Sequence, residues 1–296
     1  MYRIVGIGEL LWDLLPGGAQ IGGAPANFAY HAGALGCAAR TISRVGDDAL
    51  GHTLLDQLRE LGVNCECVQV DATLPTGTVT VAIDVDGQPC FDIQRNVAWD
   101  VLQAEPAAML AVSSADAICF GTLAQRHPVA RDAIRTLVRA SPSQALRVLD
   151  VNLRQDYHSR QMIEESLALA SVLKVNDIEL PILATLFGLT GDANAQLDQL
   201  AERWQLRAVA LTRGDRGSVL RTAHERSEHP GIRVRVMDTI GAGDAFTAAM
   251  TIGLLSGWAL DDVNAHANEV AAFVASCAGG TPPLPHAIRD PFAQRA

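Results

Sequence analysis

The amino-acid sequence predicts an α/β fold in which helices cover a mainly parallel sheet. Short apolar runs alternate with longer amphipathic runs through most of the 296 residues, as expected when strands and helices alternate along a chain. Two short runs, Val148-Leu149 and Val209-Ala210-Leu211, are continuously apolar, which is typical of parallel strands buried on both faces. A hydrophobic content of 49% with 19% charged residues indicates a globular chain.

The period of the apolar residues predicts each strand and helix in turn. Strands are expected at Arg3–Gly8, Ala117–Gly121, Arg147–Val151, Ser171–Val175, Ala208–Thr212 and Ser218–Thr222. Helices are expected at Pro25–Leu35, Ala49–Leu61, Pro128–Ala140, Gln161–Ala170, Ala193–Trp204, Ala245–Ser256 and Leu260–Ala278.

The segment from Thr76 to Val97 breaks this alternation because its pattern is extended throughout. Asp86-Gly87 lies at its middle, and an Asp-Gly pair between extended segments indicates a β-hairpin. In an α/β protein such a hairpin extends the edge of the sheet or covers a site as a lid.

Composition and charge exclude several classes of protein. The net charge of −10 argues against nucleic acid or an anionic membrane as the main partner, and no apolar run is long enough to span a bilayer. A strand-like run from Tyr2 to Ile7 predicts that no signal peptide is present. The six cysteines form no CxxC pair, so we expect a cytoplasmic, disulfide-free enzyme without a zinc ribbon.

Asp238-Thr239-Ile240-Gly241-Ala242-Gly243-Asp244 joins a β-rich run, Ile232 to Val236, to an apolar helix. The first N–H groups of a helix lack partners and carry partial positive charge, so this turn predicts an anion site. Gly241 and Gly243 let the backbone approach a ligand, and Asp244 could accept a proton as the anion reacts. The alternative is that Asp244 only caps the helix.

Rival nucleotide-binding motifs are absent from the sequence. No GxxxxGK[ST] occurs, which excludes a Walker-type phosphate loop. Gly6-Ile7-Gly8 follows the first strand as a dinucleotide fingerprint would, but Leu11 stands where a third glycine or an alanine is needed. We expect these glycines to let the end of the strand pass close to a substrate. The eight histidines form no metal-binding pair.

The turn that ends at Asp244 resembles the C-terminal signature of the ribokinase-like (PfkB) carbohydrate kinases. Gly22-Gly23-Ala24-Pro25-Ala26-Asn27, running on to Gly36, resembles the N-terminal signature of that family, about 200 residues earlier in the chain. The resemblance extends from Gly6 to about Gly280.

The resemblance implies a three-layer α/β/α fold, with residues 1–296 as one domain. It also implies a small β-lid formed by segments around residues 10–22 and 76–97. The segment from Leu14 to Ile21 is short, however, and leaves little room for a second lid hairpin.

The resemblance further implies phosphoryl transfer from ATP, with Asp244 deprotonating a primary hydroxyl of a sugar. Gly241, Ala242 and Gly243 would supply backbone N–H groups to the transferring phosphoryl group. ATP and Mg²⁺ are the expected cofactors. Carbonyl groups around Asp238 and in the loop Ala278–Thr281 could hold a monovalent cation such as K⁺.

On the sugar side, the resemblance assigns hydroxyl recognition to side chains that hydrogen-bond in well-defined directions. The expected substrate-binding residues are Asp13, Gly22, Gly23, Asn27, Arg95 and Arg154. For Asp13 the alternative is an exposed turn residue, and for Asn27 a residue of a capped helix start. Arg95 could equally be a solvated arginine at a sheet edge, and Arg154 is expected near either the substrate or the phosphates.

On the nucleotide side, the expected ATP-binding residues are Lys174, Asn176, Thr212, Arg213, Gly214, Gly217 and Asn268. Lys174 is the only lysine, so a lysine that contacts phosphate would have to be this one. Asn176 and Glu179 resemble a metal-associated motif and could hold Mg²⁺, directly or through water. The alternatives are a helix cap at Asn176, a hairpin turn at residues 212–217 and a plain polar helix residue at Asn268.

The motifs taken together look closest to the fructokinase-like branch of the family, so fructose is the first expected substrate. 2-Keto-3-deoxygluconate and ribose come next, and a non-catalytic sugar or nucleotide sensor is the alternative from another class. A hydroxymethyl-pyrimidine or pyridoxal kinase would share the fold, but the paired signatures favour a sugar. The expected partners are a small sugar and ATP, with a homodimer through the lid as a further expectation.

Overall fold

The computed structural model describes residues 1–15, 17–83 and 89–289 of the chain. The strands of this part are numbered in chain order. They are β1 (Arg3–Ile7), β2 (Leu11–Leu15), β3 (Gly18–Gly22), β4 (Ala38–Gly46), β5 (Asn64–Asp71), β6 (Gly77–Ile83), β7 (Pro89–Ile93), β8 (Ala117–Phe120), β9 (Leu146–Asp150), β10 (Val172–Asn176), β11 (Ala208–Thr212), β12 (Ser218–Thr222) and β13 (Arg226–His229).

The α-helices of the described residues are numbered in the same way. They are α1 (Ala24–Ala34), α2 (Ala49–Glu60), α3 (Pro106–Ser113), α4 (Pro128–Ala140), α5 (Arg160–Leu169), α6 (Glu179–Phe187), α7 (Ala193–Trp204), α8 (Ala242–Leu255), α9 (Leu260–Ala275) and α10 (His286–Arg289). Among the residues described, no helix combines the length and the apolar character needed to cross a bilayer.

Nine strands form the central sheet, in the order β13-β12-β11-β10-β9-β8-β1-β4-β5. The strands from β11 to β5 pair in parallel, and only β12 and β13 are antiparallel to their neighbours. The mainly parallel α/β sheet predicted from the sequence is therefore confirmed. Open sheets of this kind bind ligands at the carboxyl ends of their strands, where Glu9, Asp150 and Asn176 lie.

Alternate residues of the central strands pack into two separate apolar cores. Val5 and Ile118 belong to one core, whereas their neighbours Ile4 and Ala117 belong to the other. Helices α3 to α7 supply the first core, and α1, α8 and α9 supply the second. Since successive strand residues point to opposite faces, the helices form a layer on each side, and the predicted three-layer architecture is confirmed.

A second sheet of four strands, in the order β3-β2-β6-β7, is formed by the two segments from which a lid was expected, and we call it the lid sheet. β6 and β7 pair antiparallel as expected for the hairpin, while the predicted turn Asp86-Gly87 lies outside the described residues. The expectation that little room exists for a second lid hairpin was wrong. β2 and β3 form one, with Leu15 opposite Gly18.

Strands β4 and β5 were not predicted because buried charges hide their apolar pattern. Arg44 on β4 and Asp71 on β5 form an ion pair of 2.7 Å, with side chains 20% and 6% exposed. Conversely, the run from Ile232 to Val236 was expected to be β-rich, but it forms no strand. Its apolar side chains, including Val236, are largely exposed, so no sheet face holds them.

Gly6 and Gly8 allow helix α1 to pack closely on β1, and the expectation that they bring the end of the strand close to a substrate stays a prediction. A Cβ atom on Gly6 would lie 2.1 Å from the carbonyl oxygen of Pro25, and one on Gly8 would lie 2.8 Å from the Pro25 ring. The missing side chains therefore let the first turn of α1 rest directly on β1. This contact places Asn27 above the sheet.

We predict that Gly6→Ala destabilises the fold strongly, whereas Gly33→Ala within α1 does not. The Gly6 substitution forces a methyl group into the Pro25 carbonyl, and overpacking of this kind costs about 1–3 kcal/mol or more. A Cβ atom on Gly33 meets only ordinary contact at 3.8 Å, and alanine is favoured over glycine in helices by about 1 kcal/mol. Thermal unfolding of both variants tests this, and equal melting temperatures would contradict it.

Candidate active site

The base predicted at the end of the glycine turn lies inside the first turn of a helix. Helix α8 begins at Ala242, and Gly241 is its cap residue, with a φ of 74°. A Cβ atom at Gly241 would lie 2.4 Å from the carbonyl oxygen of Gly280, so glycine is required here. The alternative in which Asp244 caps the helix was wrong, because its carboxylate turns to another helix instead.

That carboxylate accepts a hydrogen bond from Asn27 on α1. The distance from Asn27 Nδ2 to Asp244 Oδ2 is 2.9 Å, and Asn27 is 3% exposed. The amide oxygen of Asn27 is also buried and has no hydrogen-bond partner among the described residues. A buried acceptor without a partner costs free energy, so this oxygen is suited to accept a hydroxyl group from a ligand.

The pKa of Asp244 is raised to about 6, first because desolvation disfavours its charged form and next because Asp150 lies nearby. The hydrogen bond from Asn27 and the charges of Lys174 and Arg154 act in the opposite direction. A carboxylate with this pKa is ionised at neutral pH and is a stronger base than an ordinary aspartate.

Asp13 lies on lid strand β2 and faces the glycines that precede α1. A Cβ atom on Gly22 would lie 2.3 Å from Asp13 Oδ2, and one on Gly23 would lie 2.4 Å from the carbonyl oxygen of Glu9. Glycine is thus needed at both positions for the lid to approach α1. Burial raises the pKa of Asp13 to about 6, against the lowering effect of Arg154. Asp13 is therefore partly buried in the site, not an exposed turn residue.

Arg154 supplies a positive charge that acts on several carboxylates of this region. It follows β9 in an exposed loop, and its charge lowers the pKa values of Asp13, Asp244 and Glu9. Asn152, two residues earlier, has a φ of 41°, a conformation that is uncommon outside glycine. Asn27 is thus bonded to Asp244, and Arg154 lies close enough to both Asp244 and Asp13 to lower their pKa values. Their roles in substrate binding stay predictions.

Arg95 stands two residues after strand β7 and contacts the loop that follows β9. Its Nε donates to the Tyr157 hydroxyl at 2.9 Å, and its Nη2 lies 3.8 Å from Asp156 Oδ1. The guanidinium is also stacked on the Tyr157 ring at 4.9 Å. These contacts join the lid to the loop after β9, and none of them is with Asp13 or Asp244.

Glu9 was missed by sequence analysis although it lies in the same region. It is 3% exposed, its Oε1 accepts the backbone N–H of Ala24 at 3.2 Å, and its Oε2 has no partner among the described residues. Burial raises its pKa to about 7, and the charge of Asp244 adds to the effect. The signal in the sequence was a single carboxylate within the apolar run from Ile7 to Trp12.

Lys174 lies on β10, directly behind the first turn of α8. Its Nζ is 3.0 Å from Asp150 Oδ1, and the two side chains are 7% and 6% exposed. A Cβ atom on Gly243 would lie 3.3 Å from the same Nζ. The positive charge predicted for the phosphate side is therefore present beneath Gly243, and it is held by a buried carboxylate.

Asn176 and Glu179 form a reciprocal cap at the start of α6, the alternative weighed for them above. Asn176 Oδ1 accepts the backbone N–H of Glu179 at 2.8 Å, and Glu179 Oε2 accepts that of Asn176 at 2.9 Å. Glu179 Oε1 accepts the N–H of Leu153 at 2.9 Å, and burial raises the pKa of this carboxyl. Both carboxylate oxygens are therefore already bound, so this pair fits a hydrated metal ion better than a directly bound one.

The segment Thr212 to Gly217 is a hairpin turn between β11 and β12, again as the structural alternative had it. Arg213 Nη1 pairs with Glu228 Oε1 at 2.8 Å, and its N–H donates to the Gly217 carbonyl at 2.7 Å. Gly214 and Gly217 have φ values of 60° and 77°, and a Cβ atom on Gly217 would clash with the His229 carbonyl. A tight turn of this kind is also able to follow a nucleotide closely.

Asn268 is buried beneath this turn. It is 8% exposed, and its Nδ2 donates to Ser218 Oγ at 2.7 Å and to the Asn264 carbonyl at 2.8 Å. The amide group thereby ties α9 to β12, so its described contacts are with the protein interior.

The candidate loop for a monovalent cation is tied to the glycine turn. Asp238 Oδ2 accepts the N–H of Gly279 at 3.2 Å, and its Oδ1 accepts that of Ile240 at 3.0 Å. The Gly280 carbonyl oxygen can only accept, so His31 Nε2 donates to it at 2.9 Å. Burial lowers the pKa of His31 to about 4. The described residues contain no group of three or more His, Cys, Asp or Glu side chains arranged for a metal ion.

Comparison with known proteins identifies the family of the chain. The model of the family described as pfkB family carbohydrate kinase matches residues 18–287. Fructokinase-2 of Solanum lycopersicum is 28% identical over 96% of this chain and 93% of its own length. An uncharacterized sugar kinase from Pyrococcus horikoshii has a crystal structure with a TM-score of 0.84, at 27% identity over 98% of this chain and 96% of that one.

A further structure supports the fold alone. Fructokinase from Xylella fastidiosa, solved with bound ATP, has a TM-score of 0.85 at 23% identity, and the match covers 100% of this chain and 99% of that one. The ribokinase-like architecture is therefore shared over essentially the whole length.

We predict that Asp244→Asn raises the melting temperature at pH 7.5 by roughly a few degrees. The raised pKa means that the ionised carboxylate costs stability above about pH 6, whereas the amide keeps the bond from Asn27 without that charge. As pH falls below about 4, the wild-type carboxyl is protonated in both the folded and unfolded states, so the difference should vanish. Calorimetry at both pH values checks this, and a variant less stable at pH 7.5 would contradict it.

Proposed function

Since this chain belongs to the pfkB family of carbohydrate kinases, we propose that it transfers the γ-phosphoryl group of ATP to a primary hydroxyl of a small sugar. The observation that supports the proposal most is the hydrogen bond from Asn27 to Asp244. It places a base of raised pKa beside a buried amide oxygen that lacks a partner. A base next to a hydroxyl-binding group is what deprotonation of a sugar hydroxyl requires.

In the proposed mechanism, Asp244 accepts the proton of the sugar hydroxyl as its oxygen attacks the γ-phosphorus. The new bond joins this oxygen to phosphorus, the bond from phosphorus to the bridging oxygen breaks, and ADP leaves with that electron pair. Gly241, Ala242 and Gly243 lie at the N-terminus of α8, where the N–H groups of the first turn and the helix dipole would stabilise the charge on the transferring phosphoryl group.

We assign sugar binding to Asp13, Asn27 and Arg154, together with the backbone at Gly22 and Gly23. Asp13 accepts hydrogen bonds from hydroxyl groups, and the amide oxygen of Asn27 has a free lone pair for another. Arg154 offsets the negative charge of the carboxylates. Arg95 closes the lid against the loop after β9 through Tyr157, and we assign it a place at the outer end of the sugar.

We assign the nucleotide to the carboxyl ends of β10 and β11, next to Asn176, the turn from Thr212 to Gly217, and the buried amide of Asn268. Arg213 would have to exchange Glu228 for a phosphate to bind it. Mg²⁺, when bound with ATP, would offset the negative charge of the phosphate groups. Glu179 and Asn176 would hold its water shell through their remaining lone pairs, and carbonyl groups near Asp238 would hold a monovalent cation.

Fructose is the sugar we propose first. The tomato relative is named a fructokinase, as is a relative from rice that is 29% identical over 95% of this chain and 94% of its own length. A cytoplasmic location accords with the free thiols of the five described cysteines.

We predict sugar-dependent release of ADP when the protein is assayed with ATP, Mg²⁺ and fructose, 2-keto-3-deoxygluconate or ribose, with fructose giving the highest kcat/KM. Asp244→Asn should lower kcat by about a thousandfold or more, since it removes the base and leaves the neighbouring contacts. A coupled assay for ADP measures both. Sugar binding without ADP release in the wild type would favour a sensor and refute the kinase.

Asp13→Asn is the matched control, because it makes the same chemical change on the lid rather than at the base. We expect it to raise KM for the sugar by about tenfold or more. Its kcat should fall less than that of Asp244→Asn. Equal losses of kcat in the two variants would show that Asp244 has no special part in the chemical step.

We also propose that the chain forms a homodimer through its lid. β3 and β7 are the outer strands of the four-stranded lid, and such edges can pair with a second copy. Sedimentation velocity should give twice the mass of one chain. Ala19→Lys, at an exposed position of the edge strand β3, should shift the protein towards the monomer. A wild-type protein that stays monomeric at micromolar concentration would exclude this assembly.

A further inference from the structure

The ion pair between Lys174 and Asp150 is buried at the centre of the molecule. Their side chains are 7% and 6% exposed, and the charged atoms are 3.0 Å apart. Removing two charges from water is costly, and a buried pair of this kind is often no more stabilising than apolar residues of the same size. Stability alone therefore does not explain why the only lysine of the chain lies here.

The second oxygen of Asp150 extends this pair to helix α8. The Thr247 hydroxyl lies 3.0 Å from Asp150 Oδ2 and 2.9 Å from the Gly243 carbonyl oxygen. Thr247 is fully buried and stands three residues after Asp244, on the same side of the helix. Asp150 thus connects the ends of β9 and β10 to the turn that carries Gly243 and Asp244.

Asp150, Thr247 and Asp244 also line one small internal cavity, together with Phe28 and Cys119. Asp150 is the largest source, after desolvation, of the raised pKa of Asp244, while Lys174 lowers it. The pair therefore places a negative and a positive charge next to the base.

We propose that Asp150, Lys174 and Thr247 form a positioning network that fixes the first turn of α8 and balances the charge around Asp244. The proposal rests on the kinase function proposed above. None of the three needs to touch the sugar: they act through Gly243, which supplies an N–H group, and through Asp244. Lys174 adds positive charge from behind the helix N-terminus, where the anion is bound.

Other charged or titratable groups also face Asp244, from several elements. They are Glu9 after β1, Cys119 on β8, Asp150 at the end of β9, Arg154 in the following loop and Lys174 on β10. Asp150 has the largest effect among these charges, so its replacement by the neutral isostere gives the clearest change.

The first experiment compares how kcat/KM depends on pH in Asp150→Asn and Thr247→Val. Asp150→Asn removes a negative neighbour, so Asp244 loses its proton more readily. The acid limb, the part of the profile where kcat/KM falls as pH decreases, should therefore shift to lower pH by on the order of one unit. Thr247→Val breaks the contact with the hydroxyl without changing charge. It should lower kcat by roughly tenfold while the acid limb stays where it is in the wild type.

The double variant Asp150→Asn/Lys174→Met removes both charges together. It should have an acid limb above that of Asp150→Asn, because the lowering effect of Lys174 is also lost. It leaves neither charge of the ion pair buried without its partner, so it is expected to fold even if Asp150→Asn does not. An acid limb at the wild-type pH in both variants that lack Asp150 would overturn the proposal.

The second experiment uses the single lysine and needs no turnover. Lysine labelled with ¹⁵N at Nζ gives one side-chain signal in this protein, which belongs to Lys174. A buried, hydrogen-bonded ammonium group should exchange slowly in the wild type and in Thr247→Val, and rapidly in Asp150→Asn. A rapidly exchanging signal in the wild type would overturn the network.

The two experiments separate the two hypotheses. If the wild type phosphorylates none of the sugars but its lysine signal is protected, the kinase function fails and the ion pair stands. If the wild type is active but the acid limbs coincide, the kinase function stands and the proposed network is wrong.

Discussion

The hydrogen bond from Asn27 to Asp244 is the contact on which the site depends. Its two residues are 217 positions apart, and it can form only when α1 and α8 lie together on one face of the central sheet. Gly6 allows α1 to rest on β1, and Gly241 allows α8 to begin beside Gly280. These two glycines therefore help to hold Asn27 and Asp244 at a hydrogen-bonding distance of 2.9 Å.

Desolvation is the physical cost of this arrangement. Asp13, Asp244 and Glu9 are all carboxyl groups whose pKa values are raised by burial, and they meet near one exposed cation, Arg154. Such a group of like charges opposes folding at neutral pH. Such burial is common at sites that need a base, because exclusion of water also raises the proton affinity of the carboxylate.

The sequence predicted the parts of the fold that follow from local periodicity. The sequence predicted both the helix that contains the residues after Asp244 and the strand that ends near Asp150. It also predicted the glycine turn that precedes this helix. Glu9 and Thr247 could not be found in this way, since one carboxylate in an apolar run and one threonine in an apolar helix look like minor interruptions. Their importance arises only when the ends of β1 and β9 are placed beside α8, which depends on long-range packing.

The burial of Lys174 has a consequence for the outer surface of the protein. All side-chain cations elsewhere in the chain, apart from histidine, are guanidinium groups, which keep their charge at any pH that the fold survives. Between about pH 8 and pH 11 the surface therefore gains almost no negative charge from loss of ammonium protons. Reagents that attack side-chain amines likewise meet no exposed target, so acylation or reductive methylation of lysine would leave the surface untouched until the core opens.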